Sequence, residues 1–80
     1  MDDQQVQNRI DELVQEEERL LHAHENQGLS EEEHARLEQL RVQLDQFWDL
    51  MRQRRSLRQY GEDPDQASLR DPDTVEDYEQ

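Results

Sequence analysis

Eight residues near the middle of the chain, Asn26-Gln27-Gly28-Leu29-Ser30-Glu31-Glu32-Glu33, stop one helix and start another, and they constrain the fold more than any other stretch. Glycine takes the left-handed conformation that closes a helix C-terminus without the steric penalty other residues carry. Ser30 and Glu33 then stand at capping-box spacing. The serine hydroxyl accepts from the Glu33 N–H while the Glu33 carboxylate accepts from the Ser30 N–H. A connection this short between two long helices makes them antiparallel neighbours, so the sequence predicts an αα-hairpin.

Both sides of the turn carry an apolar ladder. From Asp3 to about Asn26, the residues Val6, Ile10, Leu13, Val14, Leu20 and Leu21 recur at spacings of three and four with neither Pro nor Gly between them. Asp2 or Asp3 suits the cap of the first turn. Glu17 interrupts the ladder, and its stem packs at the edge of the seam while its carboxylate reaches solvent or an arginine. From Glu31 to about Gln59, Leu37, Leu40, Leu44, Phe47 and Met51 form one stripe, with Trp48, Leu50 and Leu57 beside it and Gly61 as the stop. With the turn near Gly28, positions whose numbers sum to about 57 face each other. Val6 then meets Met51, Ile10 meets Phe47, Leu13 meets Leu44, and Leu20 or Leu21 meets Leu37. The same register brings Arg19 to Glu38, Glu16 or Glu17 to Arg41, Arg9 to Asp49, and Asp2 or Asp3 to Arg54. Exposed ion pairs contribute about 0–1 kcal/mol each, so these fix register more than they add stability.

Charge divides the chain as the helices do. Residues 1–36 carry three arginines against eleven acids, 37–60 carry five against three, and 61–80 carry one against eight. The sequence therefore reads as a hairpin over 1–60 and an acidic tail over 61–80. Asp-Pro-Asp occurs twice in the tail, at 63–65 and 71–73. Asp before Pro is a good N-cap with Pro at the first helical position, so each copy is expected to begin a short helical turn. The second copy puts Val75 and Tyr78 on one face. The tail is expected to dock near Arg52, Arg54, Arg55 and Arg58, with Val75 and Tyr78 covering Trp48 or Leu57; a solvating tail is the alternative.

Two helices leave one side of their core open. Only 30% of the residues are hydrophobic, 39% are charged and none is Cys, and chains this small rely on metals, disulfides or oligomerisation. The fold class expected is all-α, a two-helix hairpin dimerising into a four-helix bundle around Val6, Ile10, Leu13, Leu20, Leu37, Leu40, Leu44, Phe47, Trp48 and Met51. The competing structure is a monomer with the tail folded over the open face. A net charge of −13 disfavours direct binding of nucleic acid, where phosphates are neutralised by Lys and Arg. No long apolar run or basic leader is present, which points away from the membrane and toward the cytoplasm.

Candidate chemistry is sparse. His24 and His34, brought together at the turn with Glu31 nearby, offer imidazole and carboxylate to Zn²⁺ or Ni²⁺. His22 and His24 point to different faces and no H-E-x-x-H pattern exists, so no cofactor is expected. Ser30, Ser56 and Ser68 lack a His and acid constellation, and there is no Gly-rich phosphate loop, so the chain is not expected to be an enzyme. The arginines from Arg52 to Arg58 occupy the last turns of a helix, where the macrodipole favours cations. The function expected is that of a protein-interaction module, an adaptor or regulatory subunit that meets an unidentified protein partner. The alternatives are an acidic nucleic-acid mimic occupying a basic protein surface, and a His/Glu metal-binding protein.

Four segments carry a resemblance: 29–33 (LSEEE), 44–55 (LDQFWDLMRQRR), 61–65 (GEDPD) and 75–78 (VEDY). In these the chain resembles DUF2630, a family of short actinobacterial proteins of unknown function, across nearly its whole length. The core of the likeness is W-D-L-x-R-Q-R-R at 48–55, with Met51 where Leu is common and Phe47 where a smaller residue such as Cys is expected. The resemblance implies a bacterial cytoplasmic setting and a tail that belongs to the module. It adds no catalytic residue.

Overall fold

The computed structural model describes residues 1–23 and 28–79, with side chains throughout except at 23 and 76–79. Two long helices, α1 (Asp3–Ala23) and α2 (Glu31–Gln59), form the hairpin; a single 3₁₀ turn at Pro64–Gln66 and a short helix, α3 (Pro72–Glu79), follow. The expected extension of α1 to Asn26 falls outside the described residues.

Local chemistry sets each boundary. At the start of α1, Asp2 Oδ1 accepts from the Gln5 N–H at 2.8 Å while Gln5 Oε1 accepts from the Asp2 N–H at 2.9 Å. Asp2 thus takes the capping role and leaves the Asp3 carboxylate for longer-range contacts. The Ser30/Glu33 box is formed at 3.2 and 3.0 Å, and Gly28 holds the left-handed φ of 71°. α2 ends in a Schellman turn: the Glu62 N–H donates to the Leu57 carbonyl at 2.8 Å and the Gly61 N–H to the Arg58 carbonyl at 3.2 Å, with Gly61 at φ 73°. A Cβ built at Gly61 meets no atom within 4 Å. Gly61→Ala is therefore expected to act through the backbone alone, lowering stability by about 1 kcal/mol in urea melts, the cost of a left-handed alanine.

The two Asp-Pro-Asp copies behave differently. The Asp63 carboxylate accepts from the Asp65 N–H at 3.0 Å and supports the one 3₁₀ turn. Asp71 accepts from both the N–H and the hydroxyl of Thr74, at 3.0 and 3.1 Å, and opens α3.

Val6, Ile10 and Leu13 of α1 pack with Leu40, Leu44 and Leu50 of α2, and Val14, Leu20, Phe47, Met51 and Ala67 close around them. Leu37 and Val75 are also buried. The ion pairs between the helices follow the expected register in part. Arg54 Nε lies 2.6 Å from Asp3, and Arg41 Nε 3.5 Å from Glu17, the acid that broke the apolar ladder. Arg36 Nη2 donates to both oxygens of Glu16, at 2.9 and 2.6 Å, a pair the register did not anticipate. The expected Arg9–Asp49 pair is not formed, because Asp49 sits on the tail side of α2 and meets Arg70 at 3.6 Å; Arg9 turns along its own helix to Glu12. Arg19 borders a shallow surface hollow with Gln15, Glu18 and His22 on α1's outer side, away from Glu38.

The tail runs back along α2. Pro64 and Asp65 contact Arg54, Ser68 contacts Gln53, and Arg70 contacts Gln46 and Asp49. α3 then packs on the same helix. Leu50, which lies off the stripe facing α1 and is expected to be covered by a second hairpin or by the tail, is enclosed within the one chain. Among the described residues no helix is long and apolar enough to cross a membrane.

Candidate functional site

Two surfaces of α2 stand out, one covered and one open. The covered one centres on Arg54. Its guanidinium donates to Asp3 Oδ1 of α1 at 2.6 Å, to Asp65 Oδ1 at 2.9 Å and to the Pro64 carbonyl at 3.2 Å. One side chain thereby ties the start of α1, the end of α2 and the 3₁₀ turn. Arg58 adds a second contact to the other oxygen of Asp3. The hydrogen bond from Arg54, reinforced by Arg58, holds the Asp3 carboxyl below its ordinary range, and Asp3 with Asp65 raises Arg54. Arg54 is enclosed from solvent, yet only by a thin layer at the edge of the bundle, so hydrogen bonding outweighs the desolvation of its charge. Nearer the middle of α2, buried Asp49 accepts from Gln53 at 2.8 Å and pairs with Arg70.

The open surface carries Trp48, which is 45% exposed. Helical spacing places it roughly a third of a turn from the Gln46-Asp49-Gln53 side where the tail lies. Arg41, Arg52 and Arg55 fall on the same stripe at spacings of seven, four and three, and all three are exposed. Of the arginines of α2, Arg36, Arg41, Arg54 and Arg58 each reach an acid of α1, and Arg41 also falls with Arg52 and Arg55 on the stripe of the tryptophan.

Val6, Ile10, Leu13, Leu37, Leu40 and Leu44 are buried, while Leu20, Phe47 and Met51 are half-buried around them. Of the arginines expected to dock the tail, Arg54 reaches it, Arg58 reaches Asp3, Arg52 borders a small hollow together with Asp49, Gln53, Ser56 and Arg70 of the tail, and Arg55 is exposed. Val75 is 1% exposed, and the side chain of Tyr78 lies outside the described residues. His34 is exposed on the first turns of α2; His24 is outside the described residues, and among those described no three His, Cys, Asp or Glu side chains cluster as a metal site. Gln46, Asp49 and Gln53 were missed as tail contacts. Their spacing of three and four was a signal, but one that solvent-facing polar residues share.

A family model described as a protein of unknown function, DUF2630, matches residues 2–80. The chain belongs to the DUF2630 family. Uncharacterised proteins of Mycobacterium bovis and of two Mycobacterium tuberculosis strains are 49% identical to it over 70 residues, which cover 86% of this chain and 80% of each relative. No solved structure matches. Within this DUF2630 chain the segment W-D-L-M-R-Q-R-R gains a physical reading. Asp49, Gln53 and Arg54 hold the tail, Leu50 completes the core, and Trp48, Arg52 and Arg55 face outward.

Proposed function

We propose that this DUF2630 chain is a protein-interaction module, an adaptor or regulatory subunit with no catalytic activity of its own, working in the cytoplasm. The observation that carries the reading is Trp48. Inside a helix whose Leu37, Leu40, Leu44 and Leu50 are enclosed, it is left 45% exposed on a stripe with three arginines. Tryptophan and arginine are the residue types that most often dominate protein–protein contacts, because a large rigid ring and a planar cation gain much from desolvation at little entropic cost. The pairing of two copies belongs to the same proposal. With the tail on one side of α2, the Trp48 side is the one on which a second α2 packs.

Trp48→Ala tests both levels. In light scattering the wild-type chain is expected at the mass of two copies and the variant at the mass of one. Crosslinked pull-downs from a native cytoplasm are expected to lose the partner at least tenfold. A one-copy mass for the wild type at micromolar concentration removes the dimer, and a variant that keeps the wild-type partner removes the Trp48 face.

The exposed acids Asp11, Glu12 and Glu18 on the outer side of α1 favour a second reading, an acidic mimic of nucleic acid. Its partner is displaced by DNA and released steeply by salt, whereas a contact built on Trp48 is not.

A further inference from the structure

The stretch from Asp63 to Val75 lies on α2 in the way a bound peptide lies in its groove. Three side chains of α2 donate to its main-chain carbonyls: Arg54 to Pro64 at 3.2 Å, Gln53 to Ser68 at 2.9 Å, and Gln46 to Arg70 at 3.0 Å. Carbonyl contacts of this kind hold a backbone whatever its side chains. Identity is read at few points. Asp65 meets Arg54, Arg70 meets Asp49, Ala67 packs against the core, and Val75 is the fully buried anchor. Around these, Asp63, Gln66, Ser68 and Leu69 are exposed.

Shallow hollows of about 300 and 150 Å³ flank the stretch, one beside Ser56, Leu57 and Gln66, the other beside Met1, Leu50 and Leu69. A segment with so little buried apolar surface belongs to the low-stability end of a fold, where opening does not require the rest to unfold. The Schellman turn at Gly61 finishes α2 with its own hydrogen bonds, so the helix end survives when the tail lifts. The groove is also incompletely met by the tail. Gln43 shares its side of α2 by helical spacing, and its Oε1 is buried with no hydrogen-bond donor among the described residues.

We propose that this side of α2 is a peptide-recognition groove which the tail occupies as a built-in ligand. The partner it fits is an acidic segment of another protein that follows the tail's path, a turn and a short irregular stretch leading into a helix, with a carboxylate for Arg54, a small residue where Ala67 sits and a β-branched residue where Val75 sits. The proposal rests on the interaction-module reading but uses a side of α2 roughly a third of a turn from Trp48. Because the tail is tethered, its high effective concentration sets a threshold that a partner must exceed. A donor for Gln43 is one way to exceed it. The tail is thereby an autoinhibitory segment.

The test uses the full chain and a fluorescent synthetic peptide of residues 62–80 as the probe. Ser56→Cys with Gln66→Cys, in a chain without other cysteines, allows a short bismaleimide to bridge the tail to α2 across the first hollow. Anisotropy is expected to show saturable binding to the unbridged double variant and to the wild type, and at least tenfold weaker binding after bridging. An Asp65→Ala peptide is expected to bind several-fold more weakly. Absence of binding to the unbridged chain, or equal binding to the bridged one, overturns the groove. Should the double variant fail to fold, hydrogen exchange of the wild type decides. Amides of 63–75 opening ahead of the hairpin uphold the proposal, and amides opening only with it overturn it. A two-copy mass that bridging abolishes makes the occupant the tail of a second copy and also overturns the partner assignment. Trp48→Ala is expected to leave peptide binding unchanged, so failure of the Trp48 surface and failure of the groove are told apart.

Discussion

Leu40→Ala lowers stability by about 3 kcal/mol, within the range of about 2–5 for truncating a buried leucine. Leu40 is 0% exposed and belongs to the cluster that includes Val6, Ile10, Leu13, Leu44 and Leu50. The loss combines the transfer of the side chain back to water with a void that two rigid helices cannot collapse around. A chain of this length has about 4–12 kcal/mol of stability in all, so one such void removes a large share of it. Urea melts followed by far-UV circular dichroism are expected to show a sharply lower midpoint. Leu21→Ala is the matched control: its leucine is 44% exposed, and the expected change is within about 0.5 kcal/mol. Equal losses at the two positions remove this account of the core.

The hairpin was legible because several local signals agreed. The Ser30 box, Gly28, and two ladders of period three and four each point to the same two helices, and in the structure α2 runs over the expected Glu31–Gln59. The ion-pair register was only half legible. Asp3–Arg54 and Glu17–Arg41 fall on the facing side of both helices, whereas Asp49 faces the tail and Arg9 the solvent edge. A register derived from the hairpin alone has no place for a third element. The same reason explains Leu50, which lies off the stripe facing α1 and is covered once the tail packs beside it.

The tail's path was hidden for a different reason. Its attachment relies on main-chain carbonyls at Pro64, Ser68 and Arg70, and carbonyls leave no mark in a sequence. What did show was chemistry at its two ends, the Asp-Pro-Asp caps and the apolar Val75. The interaction surfaces were less legible still. Trp48 reads from the sequence as lying off the stripe that faces α1, free for a second hairpin or the tail, and the tail's choice of a different side leaves it open beside Arg52 and Arg55.

Arg54→Ala is the second large effect, a loss of about 2 kcal/mol together with release of both the chain start and the tail. The guanidinium is enclosed, while Asp3 is half-exposed and Asp65 largely so. Removing the arginine therefore returns two carboxylates to water rather than leaving them buried and unpaired, which keeps the cost below that of a broken ion pair in a deep core. Acid reports on the same contacts. Arg54 and Arg58 depress the Asp3 carboxyl below its unfolded value near 3.9, so the unfolded chain binds the proton first as pH falls. The stabilisation from Asp3 is fully present above that value and is lost as pH drops through the lower folded one. Urea midpoints taken at pH 6 and near pH 3 should thus differ more for the wild type than for Arg54→Ala. Some acid sensitivity remains in the variant, because the amide and hydroxyl of Thr74 depress Asp71 independently at the start of α3. Hydrogen exchange separates a local from a global effect. Faster exchange confined to the first turn of α1 and to 63–75 identifies Arg54 as the clasp of the tail, and a uniform rise across α1 and α2 shows instead that it supports the hairpin itself.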